Sequence, residues 1–157
     1  MKPKMVAIAL LLTAPLAALA DEKLQRANVP KAVLDAVQER HPGARQTGYE
    51  KENAGRDTRY EVRLAEGADV IEVLVTPEGA IVSEESVIAF DRLPAAVQSA
   101  ARSTKYAKWS VEKAEKIVRE GDAGGTTFEL VFKHGDHQRE AVFDSSGKLL
   151  KDEPVRD

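Results

Sequence analysis

The sequence predicts an α+β protein made by tandem duplication, each half being one helix packed on an antiparallel sheet of about four strands. Three observations carry that expectation. The stretch VLVTPEGAIV, Val73 to Val82, returns sixty-eight positions later as AVFDSSGKLL, Ala141 to Leu150, with Gly79 and Gly147 in register. An apolar residue followed by proline opens a periodic segment twice, at Val29-Pro30 and at Leu93-Pro94. After each of these come runs that alternate large apolar with polar residues, RYEVRLAEG and TFELVFKHG, and a period of two is that of a half-buried strand.

The first helix is predicted in VPKAVLDAVQERHPG. Proline is tolerated at a helix start because its missing N–H has no partner there anyway, and Val29, Val33 and Val37 form one stripe at a spacing of four. Pro42 and Gly43 end it. The second helix, in LPAAVQSAARSTKYA, places Leu93, Val97 and Ala101 at the matching positions. Each first strand is the weakest signal. RQTGYEKEN carries Gly48, while WSVEKAEKIVRE fits a helical stripe through Val111, Ala114, Ile117 and Val118 about as well as a strand; the glycine in the other half decides for strand. In the second strands Tyr60, Val62 and Leu64 correspond to Phe128, Leu130 and Phe132. In the third strands Ile71, Val73 and Val75 correspond to Arg139, Ala141 and Phe143. Gly67 and Gly135 mark the turns between them, and Gly79 and Gly147 the hairpins into the last strands. The second half carries about four extra residues, which lengthen its first hairpin at EGDAGG. A single unit of this size is marginal, so duplication lets two sheets share stabilising burial.

The N-terminus reads as a secretory signal. Lys2 and Lys4 precede an apolar run from Met5 to Leu19, which ends Ala18-Leu19-Ala20, the small-x-small pattern that signal peptidase needs. The run is shorter than a membrane span and contains Pro15. The expected organisation is a signal peptide over 1–20, a first repeat over 21–88 and a second over 89–157, with no membrane span left after cleavage. The chain has no cysteine, which excludes disulfides, lipid attachment and thiolate chemistry. It has no Asn-x-Ser/Thr acceptor either, which favours a bacterial periplasm. Losing Lys2 and Lys4 moves the formal charge from −3 to about −5, so no counterion release draws it to nucleic acid.

The apolar-Pro helix opening, the HPG end, Tyr60-Glu61-Val62 with Val73 to Gly79, and Phe128-Glu129-Leu130 with Ala141 to Gly147 together resemble the PepSY-like, β-lactamase-inhibitor-protein-like family of exported bacterial domains. The resemblance covers essentially the whole mature chain and implies a tandem α+β protein that binds another envelope protein through an open sheet face. The chain departs from the lactamase inhibitors in lacking their cysteines and in having few aromatics on the exposed side of its strands.

Candidate site residues follow from exposure and chemistry. Leu74, Val142 and Val131 fall on the strand side opposite Val73, Val75 and Phe143, where apolar residues make a partner-binding patch unless the sheets or a terminal segment cover them. Trp109, the only tryptophan, is either a core anchor or an interface residue. His134, Asp136 and His137 in KHGDHQ form the alternative, a metal or small-ligand site at a hairpin tip, although polar residues gather at tips in any case and no further strong ligand follows. His41 suits the C-terminal end of the first helix. Glu84 and Glu85 read as a solvated strand end. No Gly-x-Ser-x-Gly, His-Glu-x-x-His, phosphate loop or dinucleotide fingerprint occurs. The expectation is therefore a non-enzymatic, cofactor-free periplasmic binding protein.

Overall fold

The computed structural model describes residues 22–54, 57–121 and 125–155. The predicted signal peptide lies outside the described residues. Strands β1 (Glu22–Lys23), β2 (Arg45–Ala54), β3 (Asp57–Glu66), β4 (Asp69–Val75), β5 (Ile81–Val87), β6 (Ser110–Arg119), β7 (Gly125–His134), β8 (His137–Asp144) and β9 (Leu149–Pro154) accompany two short helices, α1 (Lys31–Arg40) and α2 (Ala95–Arg102). The strands pair antiparallel in chain order into one nine-stranded sheet.

This corrects the expected fold class. The protein is largely β, and it is not two halves that each set one helix on a sheet of about four strands. The pairing from Ser83 with Arg119 to Val87 with Glu115 joins β5 to β6 and makes the sheet continuous. The physical reason is that a strand ending a separate sheet leaves a row of N–H and C=O groups unpaired, and pairing β5 with β6 satisfies both rows at once. Short local periodicity reports which residues form strands but carries no signal for that distant pairing. The two-residue strand β1, which pairs with Lys51 and Glu50 of β2, had no sequence signal either.

Both helices begin on their prolines, with Pro30 and Pro94 as the N-terminal caps. Val29, Val33 and Val37 pack with Val62, Leu64, Val73 and Val75 in one apolar cluster. Leu93, Val97 and Ala101 pack with Phe128, Leu130, Phe132, Ala141 and Phe143 in another. WSVEKAEKIVRE is strand, as Gly48 suggested, because β6 lies between two partners and pairs along its length with β5 and β7. The longer hairpin also stands: residues 120–124 connect β6 to β7, where only 55–56 connect β2 to β3.

Strand alternation then fixes the two faces. Through the pairs Val62–Val73, Val73–Glu84 and Glu84–Val118, and through Ile71–Ser86, Ser86–Lys116 and Lys116–Phe128, the residues beneath α1 and those beneath α2 share one side of the sheet. Both helices lie on that side. Among the described residues no helix covers the other.

Candidate functional site: a carboxylate-lined sheet face

The uncovered face is built from alternate residues of each strand. Cross-strand pairing sets Glu50 beside Glu61, Glu72 beside Glu85, Glu115 beside Glu129, and Glu140 beside Glu153. Each of the eight strands β2 to β9 thus places a glutamate on this side. Sequence reading missed the row because its members are far apart in the chain. The signal available was a glutamate at alternating strand positions in several strands, and it becomes a surface only once the register is known.

Some of these carboxylates are neutralised locally. Arg63 holds Glu72 at 2.7 Å and Glu61 at 3.5 Å. Lys113 holds Glu115 at 2.8 Å, and Lys151 holds Glu153 at 2.7 Å and Glu140 at 3.6 Å. Glu85 and Glu129 make no hydrogen bond or ion pair among the described residues. Glu129 nevertheless is only 9% exposed, and Glu115 opposite it 4%.

Burial and like charge act together on these groups. Burial, reinforced by Glu72, Glu52 and Glu50, pushes Glu61 up to about 8. Burial, with Glu115 and Glu72, pushes Glu85 to about 7. Burial, with Glu140, Glu115 and Glu85, pushes Glu129 to about 7. Glu115 is raised by burial too, against the pull of Lys113. Desolvation disfavours the charged carboxylate and neighbouring negative charge adds to it. Glu61, Glu85 and Glu129 thus hold a proton near neutrality.

The apolar residues named from the sequence fall on this face in part. Leu74 lies between Glu61 and Ser83, but it is 8% exposed and offers little area. Val142 lies between Glu129 and Lys151, and Val131 between Lys113 and Glu140, both valines being half-buried among charged side chains of either sign. Trp109 is elsewhere. It packs against the α2 cluster, with its ring edge-on to Tyr106 at 6.3 Å and 5.5 Å from the His134 ring. The structure therefore brings Leu74, Val131 and Val142 onto one side and puts Trp109 on the helix side.

His134 and His137 face each other as the closing pair of the β7–β8 hairpin, with Asp136 in the exposed turn. Among the described residues no three His, Cys, Asp or Glu side chains gather as a metal-holding group, so these three form no ligand set. His41 caps α1 as expected and its ring nitrogens reach Glu84 at 3.2 Å and Glu66 at 3.5 Å. Glu84 and Glu85 are not a solvated strand end. They sit within β5 on opposite faces, Glu84 turned toward α1, where Arg40 donates to it at 2.7 Å, and Glu85 toward the open face. The depression beside α1, lined by Ala36, Glu39, Arg40, Gly79, Ile81 and Glu120, sets no nucleophile beside a base.

Fold and face together define a mostly β protein with one helix-covered and one uncovered, carboxylate-lined side. No family model matches the chain, and no curated protein matches it. Solved structures do. A BLIP-like protein from Bacteroides fragilis superposes with a TM-score of 0.67 at 22% identity, over 81% of this chain and 86% of the other. A protein from Bacteroides eggerthii inferred to be periplasmic gives 0.69 at 16% identity, over 81% and 89%. A DUF2874 family protein from Bacteroides ovatus gives 0.67 at 19% identity, over 80% and 87%. At these identities the likeness establishes a shared fold. No helix of the described residues is long and apolar enough to cross a membrane.

Proposed function

We propose that the chain is an exported periplasmic protein without catalytic activity, which binds and modulates another envelope protein through its open sheet face. The observation that carries the reading is the placement of both helices on one side of a nine-stranded sheet, which leaves the opposite side bare among the described residues. A broad sheet surface with half-buried Val131 and Val142 between charged side chains has the apolar-core, polar-rim character of a non-obligate interface. The fold shared with a BLIP-like protein and with one inferred to be periplasmic supports both location and binding role. The signal-like start from Met1 to Ala20 supports export.

The test is capture from periplasmic extract with the mature chain as bait, beside a Val131→Arg, Val142→Arg variant whose fold is verified by circular dichroism. A protein retained by the first and lost by the second supports the face as the binding site. Equal retention by both sinks the reading. Mass spectrometry of the mature protein, expected to start at Asp21, tests the export step independently.

A further inference from the structure

We infer that the two edges of the sheet, β2 and β9, are complementary halves of the junction that joins β5 to β6, so that a second copy of this chain fits end to end onto the first, and that β1, Glu153 and Pro154 hold this union off. The inference concerns the ends of the sheet and is independent of the face proposed above for a partner.

The pairing registers carry it. β5 joins β4 through Leu74–Ser83 and, past a bulge, Val75–Ile81, and β9 joins β8 through Val142–Lys151 and, past the same bulge, Phe143–Leu149. Ser83 to Val87 thus correspond to Lys151 to Val155. β2 repeats β6 in the same way, since the bulge between Gln46 and Gly48 against β3 matches that between Val111 and Lys113 against β7. Glu50 to Ala54 thus correspond to Glu115 to Arg119. β5 and β6 pair from Ser83–Arg119 to Val87–Glu115, so the same ladder between copies sets Lys151 against Ala54, and Val155 against Glu50, of the second copy.

β1 occupies part of that place. Glu22 pairs with Lys51 and Lys23 with Glu50, the positions at which Ser86 and Val87 meet Lys116 and Glu115. The next residue agrees: Leu24 donates to the Tyr49 carbonyl at 2.9 Å as Ile88 donates to the Ala114 carbonyl at 3.0 Å, and a single 3₁₀ turn follows each, Arg26–Asn28 and Phe90–Arg92. β1 is therefore a copy of the end of β5, and it covers the β2 edge where the β9 of a second molecule would lie.

The β9 edge is blocked from its own side. Ile88 and Glu120 donate across the β5–β6 ladder, to Ala114 and Val82, and alternation makes Ser86 another residue whose N–H faces β6. Pro154 stands at the position of Ser86 and has no N–H to give. Glu153, at the position of Glu85, would face Glu52 of the second copy where Glu85 faces Ile117, and like charges directly opposite one another repel. A sheet that ends in an exposed edge needs such obstacles, because unpaired backbone groups recruit other chains. The apolar side chains show what is restrained: Leu149 and Leu150, 40% and 50% exposed, hold the positions of the half-buried Ile81 and Val82 beside the seam.

The test measures self-association by sedimentation from about 10 μM to about 1 mM, with circular dichroism and thermal unfolding on each variant. The mature chain and Pro154→Ser are expected to stay monomeric. Shortening the mature chain to begin at Leu24 removes β1, whose two residues are exposed. Combined with Pro154→Ser, it is expected to associate at least about tenfold more tightly than the shortened chain alone. Glu153→Lys added to these changes is expected to tighten association further, and Glu52→Lys added in turn to reverse the gain. Glu22→Pro in place of the shortening keeps the chain length and is expected to act in the same direction. A shortened Pro154→Ser chain that melts as the parent does and stays monomeric overturns the inference. So does association of the parent or of Pro154→Ser with β1 intact, which would mean that β9 pairs with itself, and so does association indifferent to Glu153→Lys.

Discussion

Gly147 lies directly beneath Ala96: a β-carbon added to the glycine would meet the Ala96 carbonyl oxygen at 2.5 Å, and Gly79 stands to Ala32 in the same way at 2.8 Å. Both glycines also have positive φ, 82° and 92°. The β4–β5 and β8–β9 hairpins thus pass under the first turns of α1 and α2 with no room for a side chain. Gly79→Ala and Gly147→Ala are each expected to destabilise by about 2–4 kcal/mol, from left-handed strain plus displaced helix backbone. Gly135→Ala has the positive φ but open space around it, so about 1 kcal/mol is expected. Chemical denaturation of the three variants checks the order; equal losses would show that conformation alone matters and that helix contact does not.

The carboxylate face makes stability depend on pH in an unusual direction. Glu61, Glu85 and Glu129 are raised to about 8, 7 and 7, above their unfolded value of 4.5. Between 4.5 and those values the folded chain binds more protons than the unfolded one, so stability falls as pH rises. The contribution is full at the acid end of the window and lost by about pH 8, on the order of 1 kcal/mol per group after solvent screening. Denaturant midpoints at pH 5.5 and 8 are expected to be higher at 5.5, and Glu129→Gln is expected to flatten the slope and raise the midpoint at pH 8. A slope unaffected by the substitution would show that Glu129 does not titrate in this window.

The local elements were legible because period and turn chemistry are local. Val29, Val33 and Val37 announced α1, and Leu93, Val97 and Ala101 announced α2, and each stripe is buried. Gly79 and Gly147 marked hairpins that do occur, although the reason only glycine fits, the nearby helix carbonyl, needed the fold. What stayed hidden was long-range. Nothing in the spacing of Ser83 and Arg119 says that they pair across a thirty-six-residue separation, and without that pair the sheet divides in two and the glutamates from β2 to β9 do not align. The apolar candidates were read by side of strand alone. That was enough to place Leu74, Val131 and Val142 on one face, but it could not reveal that Leu74 is almost covered while Trp109 packs with Tyr106.

Trp109 separates a stability role from a binding role. Its ring packs on the cluster beneath α2, edge-on to Tyr106, which itself stacks on Phe132 at 4.0 Å. Trp109→Ala is expected to cost about 2 kcal/mol, less than a fully buried tryptophan because the ring is half-exposed. Capture by the folded variant is expected to match the parent. A variant of unchanged stability that fails to capture would move the interface to the helix side.

The β5–β6 seam decides whether the protein unfolds as one body. The apolar clusters beneath α1 and α2 are separate, so sheet pairing and side-chain bridges link the two ends. The ladder from Ser83–Arg119 to Val87–Glu115 is one link. Arg40 at the end of α1 is another, reaching Glu84 in β5 and Glu120 just after β6 at 2.7 and 3.0 Å. Splitting here would expose two unpaired strand edges along with the floor residue Ile117, 1% exposed. Cooperative loss of both clusters is therefore expected: one calorimetric transition whose van't Hoff and calorimetric enthalpies agree. Arg40→Ala is expected to lower the midpoint by only a few degrees, because its ion pairs are partly exposed and worth about 1 kcal/mol together. Two resolved transitions in the parent would mean that the ladder alone cannot couple the clusters; two appearing only in Arg40→Ala would assign the coupling to the Arg40 bridges.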